Sequence, residues 1–234
     1  MENSSNSTLQ RTAAKKIQVF LQSNTHKALL VTGARQVGKT TLIRQLGQEA
    51  FPNFVELNFL ENTAARQLFE TATDSSDFLL RLSALVGEKL VPGKTLIFLD
   101  EVQECKEIVT AIKFLVEEGS YRYILSGSLL GVELKDIRSV PVGYLSILEM
   151  YPLDFREFCE ANRVSQTVMD KLKECFEKKQ PVDELIHEKM MELFRLYLIV
   201  GGMPAVVDAY IRTNNLKEEL RIHQGILQQY YMEI

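Results

Sequence analysis

Gly33-Ala34-Arg35-Gln36-Val37-Gly38-Lys39-Thr40 spells G-x-x-x-x-G-K-T. Before it, Lys27-Ala28-Leu29-Leu30-Val31-Thr32 is a short apolar run of strand type. After it, Thr41-Leu42-Ile43-Arg44-Gln45-Leu46 carries apolar residues at 42, 43 and 46, as a helix requires. A strand, this loop and a helix, in that order, form the setting in which the octapeptide binds phosphate. The glycines let the backbone curl so that the N–H groups of residues 33 to 38 converge. The helix that starts near Lys39 adds its positive dipole end. Lys39 is the side chain able to reach β- and γ-phosphates, and the Thr40 hydroxyl is a candidate Mg²⁺ ligand. Thr41 completes the nucleotide-binding set.

Working outward, strands and helices alternate. A helical lead-in covers residues 11–22, and Asn53 to Phe59 alternates polar and apolar residues as a second strand. Helices are expected at 62–71 and 77–90, the latter with Phe78, Leu79, Leu82, Leu85 and Val86 on one face. Thr95-Leu96-Ile97-Phe98-Leu99-Asp100 is a continuous apolar run, as expected of a strand covered on both sides. A helix near 105–118 carries Ile108, Ile112 and Leu115, and strands are expected at 121–126 and 143–150. The alternation predicts an α/β fold with a mainly parallel five-stranded sheet wrapped by helices. From Leu153 onward only amphipathic helices are legible. Their apolar sets are Phe155 and Phe158; Val168, Leu172 and Phe176; Leu185 to Leu198; and Leu216, Leu220, Leu227 and Tyr231. The expected organisation is a mobile polar segment at 1–10, a core carrying the phosphate-binding loop at 11–151 and a helical subdomain at 152–234.

The composition is that of an ordinary globular chain: 234 residues, 46% hydrophobic and 25% charged, with a net charge of −4. With a pI of about 5.6 there is no global basic field to attract nucleic acid. Lys171, Lys173, Lys178 and Lys179 interleave with Glu174 and Glu177, as on a solvated helix face. Cys105, Cys159 and Cys175 lack metal-type spacing, and His26, His187 and His223 lie far apart, so a zinc site is not expected. The odd thiol count suits a reducing compartment. Met1 to Thr8 is polar without the order of a signal peptide, and no stretch is long and uninterrupted enough to span a bilayer. A cytoplasmic location is expected.

The run at 96–99 ends in Asp100-Glu101. Carboxylates at the C-terminal tip of a buried parallel strand sit where ligands collect. Asp100 is placed to hold Mg²⁺ opposite Thr40, and Glu101 to orient and polarise an attacking water. The fourth strand ends in Ser126-Gly127-Ser128, where either serine could sense a γ-phosphate by hydrogen bonding.

In this order, the motifs resemble the AAA+ superfamily of P-loop ATPases. More narrowly, Gly33 to Leu42, Leu99 to Gln103, Ser126 to Ser128, Tyr151-Pro152-Leu153-Asp154-Phe155-Arg156-Glu157-Phe158 and Gly201-Gly202-Met203-Pro204 are similar to a prokaryotic family of AAA-type ATPases. Members of that family carry a C-terminal domain of unknown function. The resemblance implies the additional-strand arrangement, with the strand at 121–126 between the loop strand and the Asp100 strand, and a helical lid. It implies ATP rather than GTP, and an unknown protein partner. It also implies a Gly-x-Pro contact of Pro204 with the adenine or ribose; a helix start with Pro in its first turn is the other reading of that motif. Tyr144 departs from the pattern, since relatives carry a basic residue there. Arg138 is then the candidate for an arginine finger acting on a neighbouring subunit, and an oligomer is left open. Relatives usually continue well past the motif matching Tyr230 to Ile234.

Three functions remain in play at this stage. The first is a Mg²⁺-dependent ATPase in which Lys39, Glu101, Ser126 and Ser128 act in catalysis. The second is a switch that holds ATP or ADP and shows a conformation to a partner with little turnover. The third is a DNA-associated ATPase, for which the sequence offers no basic stripe.

Overall fold

Apolar runs without alternation need cover on both faces, and the strands that read this way lie inside the sheet. β1 (Ala28–Thr32) and β3 (Thr95–Asp100) are buried at every position. β4 (Arg122–Gly127) is buried from its second residue on. β2 (Asn53–Asn58), with alternating burial, and β5 (Leu145–Glu149), mostly uncovered, form the two edges. The order is β2-β3-β4-β1-β5 and every pairing is parallel. β4 therefore lies between the loop strand and the Asp100 strand, as the additional-strand arrangement requires. The register aligns Thr32 with Gly127 and Asn58 with Asp100. This brings the C-terminal tips of all five strands to one end of the sheet, Thr32 also standing beside Glu149 of β5.

The computed structural model describes residues 9–72, 74–87, 90–105, 107–128 and 143–231. They divide into two compact units, one of Ala13–Met150 and one of Tyr151–Ile234 together with Met1–Thr12.

In the sheet unit, α1 (Thr12–Gln22) leads into β1, and α2 (Lys39–Ala50), α3 (Thr63–Thr71), α4 (Ser75–Val86) and α5 (Glu107–Glu118) lie between successive strands from β1 to β4. Successive strand side chains point to opposite faces. Ile97, Leu99, Tyr123 and Leu125 join Phe69, Phe78, Leu82, Ile108 and Ile112 of α3 to α5 in one core. On the other face the Leu96 and Phe54 side chains close on Gly47 of α2. The Arg122 guanidinium donates to the carbonyls of Phe20, Ser23 and Thr25, satisfying the C-terminal end of α1. One expectation for α4 fails: Leu85 is 45% exposed. It falls at the edge of a stripe centred on Leu79, Leu82 and Val86.

The other unit holds α6 (Phe155–Ala161), α7 (Gln166–Lys178), α8 (Glu184–Val200), α9 (Pro204–Thr213) and α10 (Leu216–Tyr231), with no strand among its described residues. The motif around Tyr151 to Phe158 is an N-terminal cap. Asp154 accepts from the Glu157 N–H at 2.8 Å, and Glu157 accepts from the Asp154 N–H at 3.1 Å, a reciprocal capping box. Glu157 also accepts from the Thr12 N–H and pairs with Arg11 at 3.5 Å, both side chains being buried. Gly202 has a packing reason: a Cβ there would stand 2.2 Å from the Leu153 carbonyl oxygen. The Leu153 N–H donates to the Gly202 carbonyl at 2.7 Å, and the Tyr197 hydroxyl donates to the Leu153 carbonyl.

The expected apolar face of α10 is corrected. Leu216, Leu220, Leu227 and Tyr231 are all exposed, while Glu219 and Ile226 are buried and Ile222 and Tyr230 pack inward. The helix carries two adjacent apolar stripes roughly a quarter-turn apart, and the core takes the one the sequence pattern did not favour. Phe176, Leu185 and Leu198, also assigned to the core, are likewise exposed. Among the described residues no helix is long and apolar enough to cross a membrane.

Candidate functional site

The loop between β1 and α2 is shaped by its first residue. Gly33 has φ 145°, and a Cβ on it would lie 2.0 Å from the Met150 carbonyl oxygen at the exit of β5. Any side chain here would meet both backbone strain and a clash. The loop then turns through left-handed Gln36 (φ 62°) and Gly38 (φ 91°), and α2 begins at Lys39. Gly38 makes no side-chain cap and the first turn of α2 holds no acid of its own, so the acid facing the positive end of the helix comes from β3, as Asp100. The Val37 side chain is fully buried, so that residue can offer a ligand only its backbone, whereas Thr41 is exposed.

Lys39 is buried, and its ammonium donates to the carbonyls of Gly33 at 3.0 Å and Ala34 at 2.8 Å. Burial pushes its pKa down. The negative charges of Glu101 and Asp100 oppose that shift, and Arg35 adds to it. The side chain thus stands over the loop it would share with a phosphate.

Asp100 is the hub of the site. It is 1% exposed at the tip of β3. Its Oδ2 accepts from the Thr40 hydroxyl at 3.0 Å and from the Asn58 amide at 3.4 Å. Its Oδ1 accepts from the Ser126 hydroxyl and from the Glu101 N–H at 3.1 Å. Burial lifts the Asp100 carboxyl above the ordinary carboxylate range, an effect opposed by the Ser126 and Thr40 hydrogen bonds. A carboxylate and a hydroxyl 3.0 Å apart are hard oxygen donors, of the kind and number that Mg²⁺ takes from a protein at a phosphate site. Among the described residues no set of three His, Cys, Asp or Glu is grouped to hold a metal unaided.

The two serines separate. Ser126 is fully buried and directed at Asp100, whereas the half-buried Ser128 accepts through Oγ from Arg35 Nε at 3.2 Å and so touches the loop. Glu101, beside Asp100, has left-handed backbone (φ 56°) and accepts from the Gln103 amide at 2.5 Å.

The sequence reading gave no role to Asn58, nor to Gln103, although Gln103 stands in the Leu99 to Gln103 motif. Asn58 is the polar tip of an alternating edge strand, and only the β2–β3 register brings it to Asp100. Tyr144 lies at the opposite end of the sheet, where its carbonyl accepts from the Ala28 N–H and its hydroxyl donates to Glu117. Pro204 opens α9 in the other unit, with Met203 as the cap residue. Arg138 lies outside the described residues.

A five-stranded parallel sheet in this order, with the loop after β1 and an acid at the tip of the second strand over, defines a P-loop nucleotide-binding protein of the additional-strand class. Residues 25–159 match the family described as AAA domain, and the chain belongs to that family of AAA+ P-loop ATPases. No curated protein matches the sequence. Among solved structures, the chain is similar to PCH-2 of C. elegans, at 12% identity and a TM-score of 0.49, covering 95% of this chain and 69% of that one. It is also similar to Drosophila ORC bound to DNA, at 16% identity and a TM-score of 0.47, covering 95% and 68%.

Proposed function

We propose that this protein binds MgATP and hydrolyses its β–γ phosphoanhydride. The observation that carries the reading is the convergence on Asp100 of Thr40 from the phosphate-binding loop and Ser126 from β4, with Glu101 next in the chain. The backbone of residues 33 to 38 and the N-terminus of α2 would hold the phosphates, with Thr41 at their margin. Lys39 would leave its two loop carbonyls to stabilise charge on the β- and γ-oxygens. Thr40 and Asp100 would hold Mg²⁺, which when bound neutralises charge developing on the transferred group.

Glu101 would accept a proton from the attacking water as the new O–P bond forms and the bond to the ADP oxygen breaks, leaving ADP and inorganic phosphate. Ser128, already joined to the loop through Arg35, is the better placed of the two serines to read the γ-phosphate. Ser126 instead orders Asp100. The choice of ATP over GTP follows from membership of an ATPase family, and Pro204 is the candidate for contact with the base or ribose. Residues 152–234 would act as a lid that transmits the nucleotide state to a protein partner.

The test is phosphate release from MgATP by the wild type and by Glu101→Gln, with fluorescent-ATP binding measured on both. Glu101→Gln should bind ATP as the wild type does and release phosphate about 100-fold more slowly or worse. Equal binding with no phosphate release from either protein would instead establish a nucleotide-gated switch.

A further inference from the structure

Gln103 has no part in the roles above, yet it joins the phosphate-binding loop to the Glu101 carboxylate. It lies in the 3-10 turn Val102–Glu104 that follows β3. Its amide nitrogen donates to Glu101 Oε2 at 2.5 Å, and its amide oxygen accepts from the Ser128 N–H at 3.3 Å. Ser128 Oγ accepts in turn from Arg35 Nε at 3.2 Å. The relay therefore runs from the loop, across the end of β4, to the acid at the end of β3.

Only one orientation of the Gln103 amide serves both neighbours. A carboxylate accepts and a backbone N–H donates, so the NH₂ must face Glu101 and the carbonyl must face Ser128. The site thus calls for a side chain with one donor and one acceptor at its tip. Glu101 needs an external hold, because its backbone is left-handed (φ 56°, ψ 48°), a conformation a non-glycine residue keeps only where its surroundings impose it. The turn supplies part of that hold through the Glu104 N–H to Glu101 carbonyl bond at 3.0 Å. Gln103 supplies the part that acts on the side chain. Among the described residues, the Glu101 carboxylate takes no side-chain hydrogen bond other than this one. Oε1 is left to accept from a water while Oε2 is fixed.

We infer that Gln103 is a positioning residue for hydrolysis: it fixes the Glu101 carboxylate and registers it, through Ser128, against Arg35 of the phosphate-binding loop. The inference rests on the hydrolytic reading given above. Because Gln103 acts on Glu101 rather than on the phosphates, its loss should appear in kcat and not in nucleotide affinity.

Two variants separate the possibilities. Gln103→Leu keeps the bulk and loses both hydrogen bonds. Gln103→Glu keeps the acceptor for the Ser128 N–H but sets a carboxylate against Glu101. Both should bind fluorescent ATP within about twofold of the wild type, hold KM within about twofold, and lose about 10-fold or more in kcat, the scale of a misplaced catalytic group. In a Glu101→Gln background, Gln103→Leu should cost nothing further, since residues acting as one unit are not additive.

Wild-type or raised kcat in either variant that binds ATP normally overturns the positioning role alone. So does an undiminished effect of Gln103→Leu in the Glu101→Gln background. If Gln103→Leu fails to fold, the nearly isosteric Gln103→Glu decides the matter. Wild-type protein that binds MgATP without releasing phosphate overturns the hydrolytic reading, and the positioning role falls with it.

Discussion

Two buried carboxylates mark the difference between the sheet edge and α10. Asp100 is 1% exposed and Glu219 is 2% exposed. Asp100 is met by donors from α2, β2, β4 and its own chain neighbour. Glu219 has an Oε1 with no hydrogen-bond partner among the described residues. Burial pushes the pKa of both upward, but only at Asp100 do hydrogen bonds resist the shift. The C-terminal end of the sheet supplies hydrogen-bond donors to its buried carboxylate. The helix face has taken in an acid without furnishing it, at a cost to stability.

The contrast can be broken first at the loop. Lys39→Ala removes the ammonium that now bonds two loop carbonyls. It should weaken ATP binding about 100-fold or more, on the order of 3 kcal/mol of charge-assisted contact. Titration with a fluorescent nucleotide reads this, and binding at wild-type strength would remove the site from the loop.

A second effect, of comparable size, lies within α10. Ile226→Ala deletes a buried side chain and should cost about 2–4 kcal/mol in urea unfolding. Leu220→Ala, on the exposed stripe of the same helix, should stay within about 0.5 kcal/mol. Equal losses would mean that the exposed stripe is covered in solution.

The smallest effect concerns Glu219. Because burial holds its carboxyl above the ordinary range, the folded chain keeps a proton over a pH window in which the unfolded chain has released it. Across that window stability falls as pH rises. Glu219→Gln, neutral at every pH, should raise the urea midpoint at pH 7 by a margin worth about 1 kcal/mol or less. The margin should shrink as pH falls across that same window, down to the ordinary carboxylate range. A margin that grows on acidification would show that Glu219 is stabilised in its charged form.

What was legible in the sequence had local causes. Gly33 to Thr40 identifies itself because glycine, lysine and threonine at that spacing meet a requirement internal to eight residues. The apolar run from Leu96 to Leu99 reads as an interior strand because cover on both faces removes alternation. Asp100 and Glu101 could be singled out because a strand tip is a position along the chain. The Asn58 contact with Asp100 could not, since it depends on β2 pairing in register with β3 across more than a helix of intervening chain. Nor could the separate employment of Ser126 and Ser128, two residues apart, which is set by the strand pleat and by what stands opposite each.

By itself, the sequence determined the fold class, the strand, glycine-rich loop and helix around Gly33 to Thr40, the acids at the tip of β3 and the run of helices from Leu153 onward. Each follows from short-range periodicity or from steric demands on a few neighbouring residues. Only the tertiary structure decided which of two apolar stripes α10 buries, why Gly202 must be glycine, and that Gln103 ties Glu101 to the loop. Those outcomes depend on which surface, carbonyl or amide arrives from elsewhere in the chain. Periodicity records how a helix can be divided into faces, but the choice of face belongs to the element that packs against it.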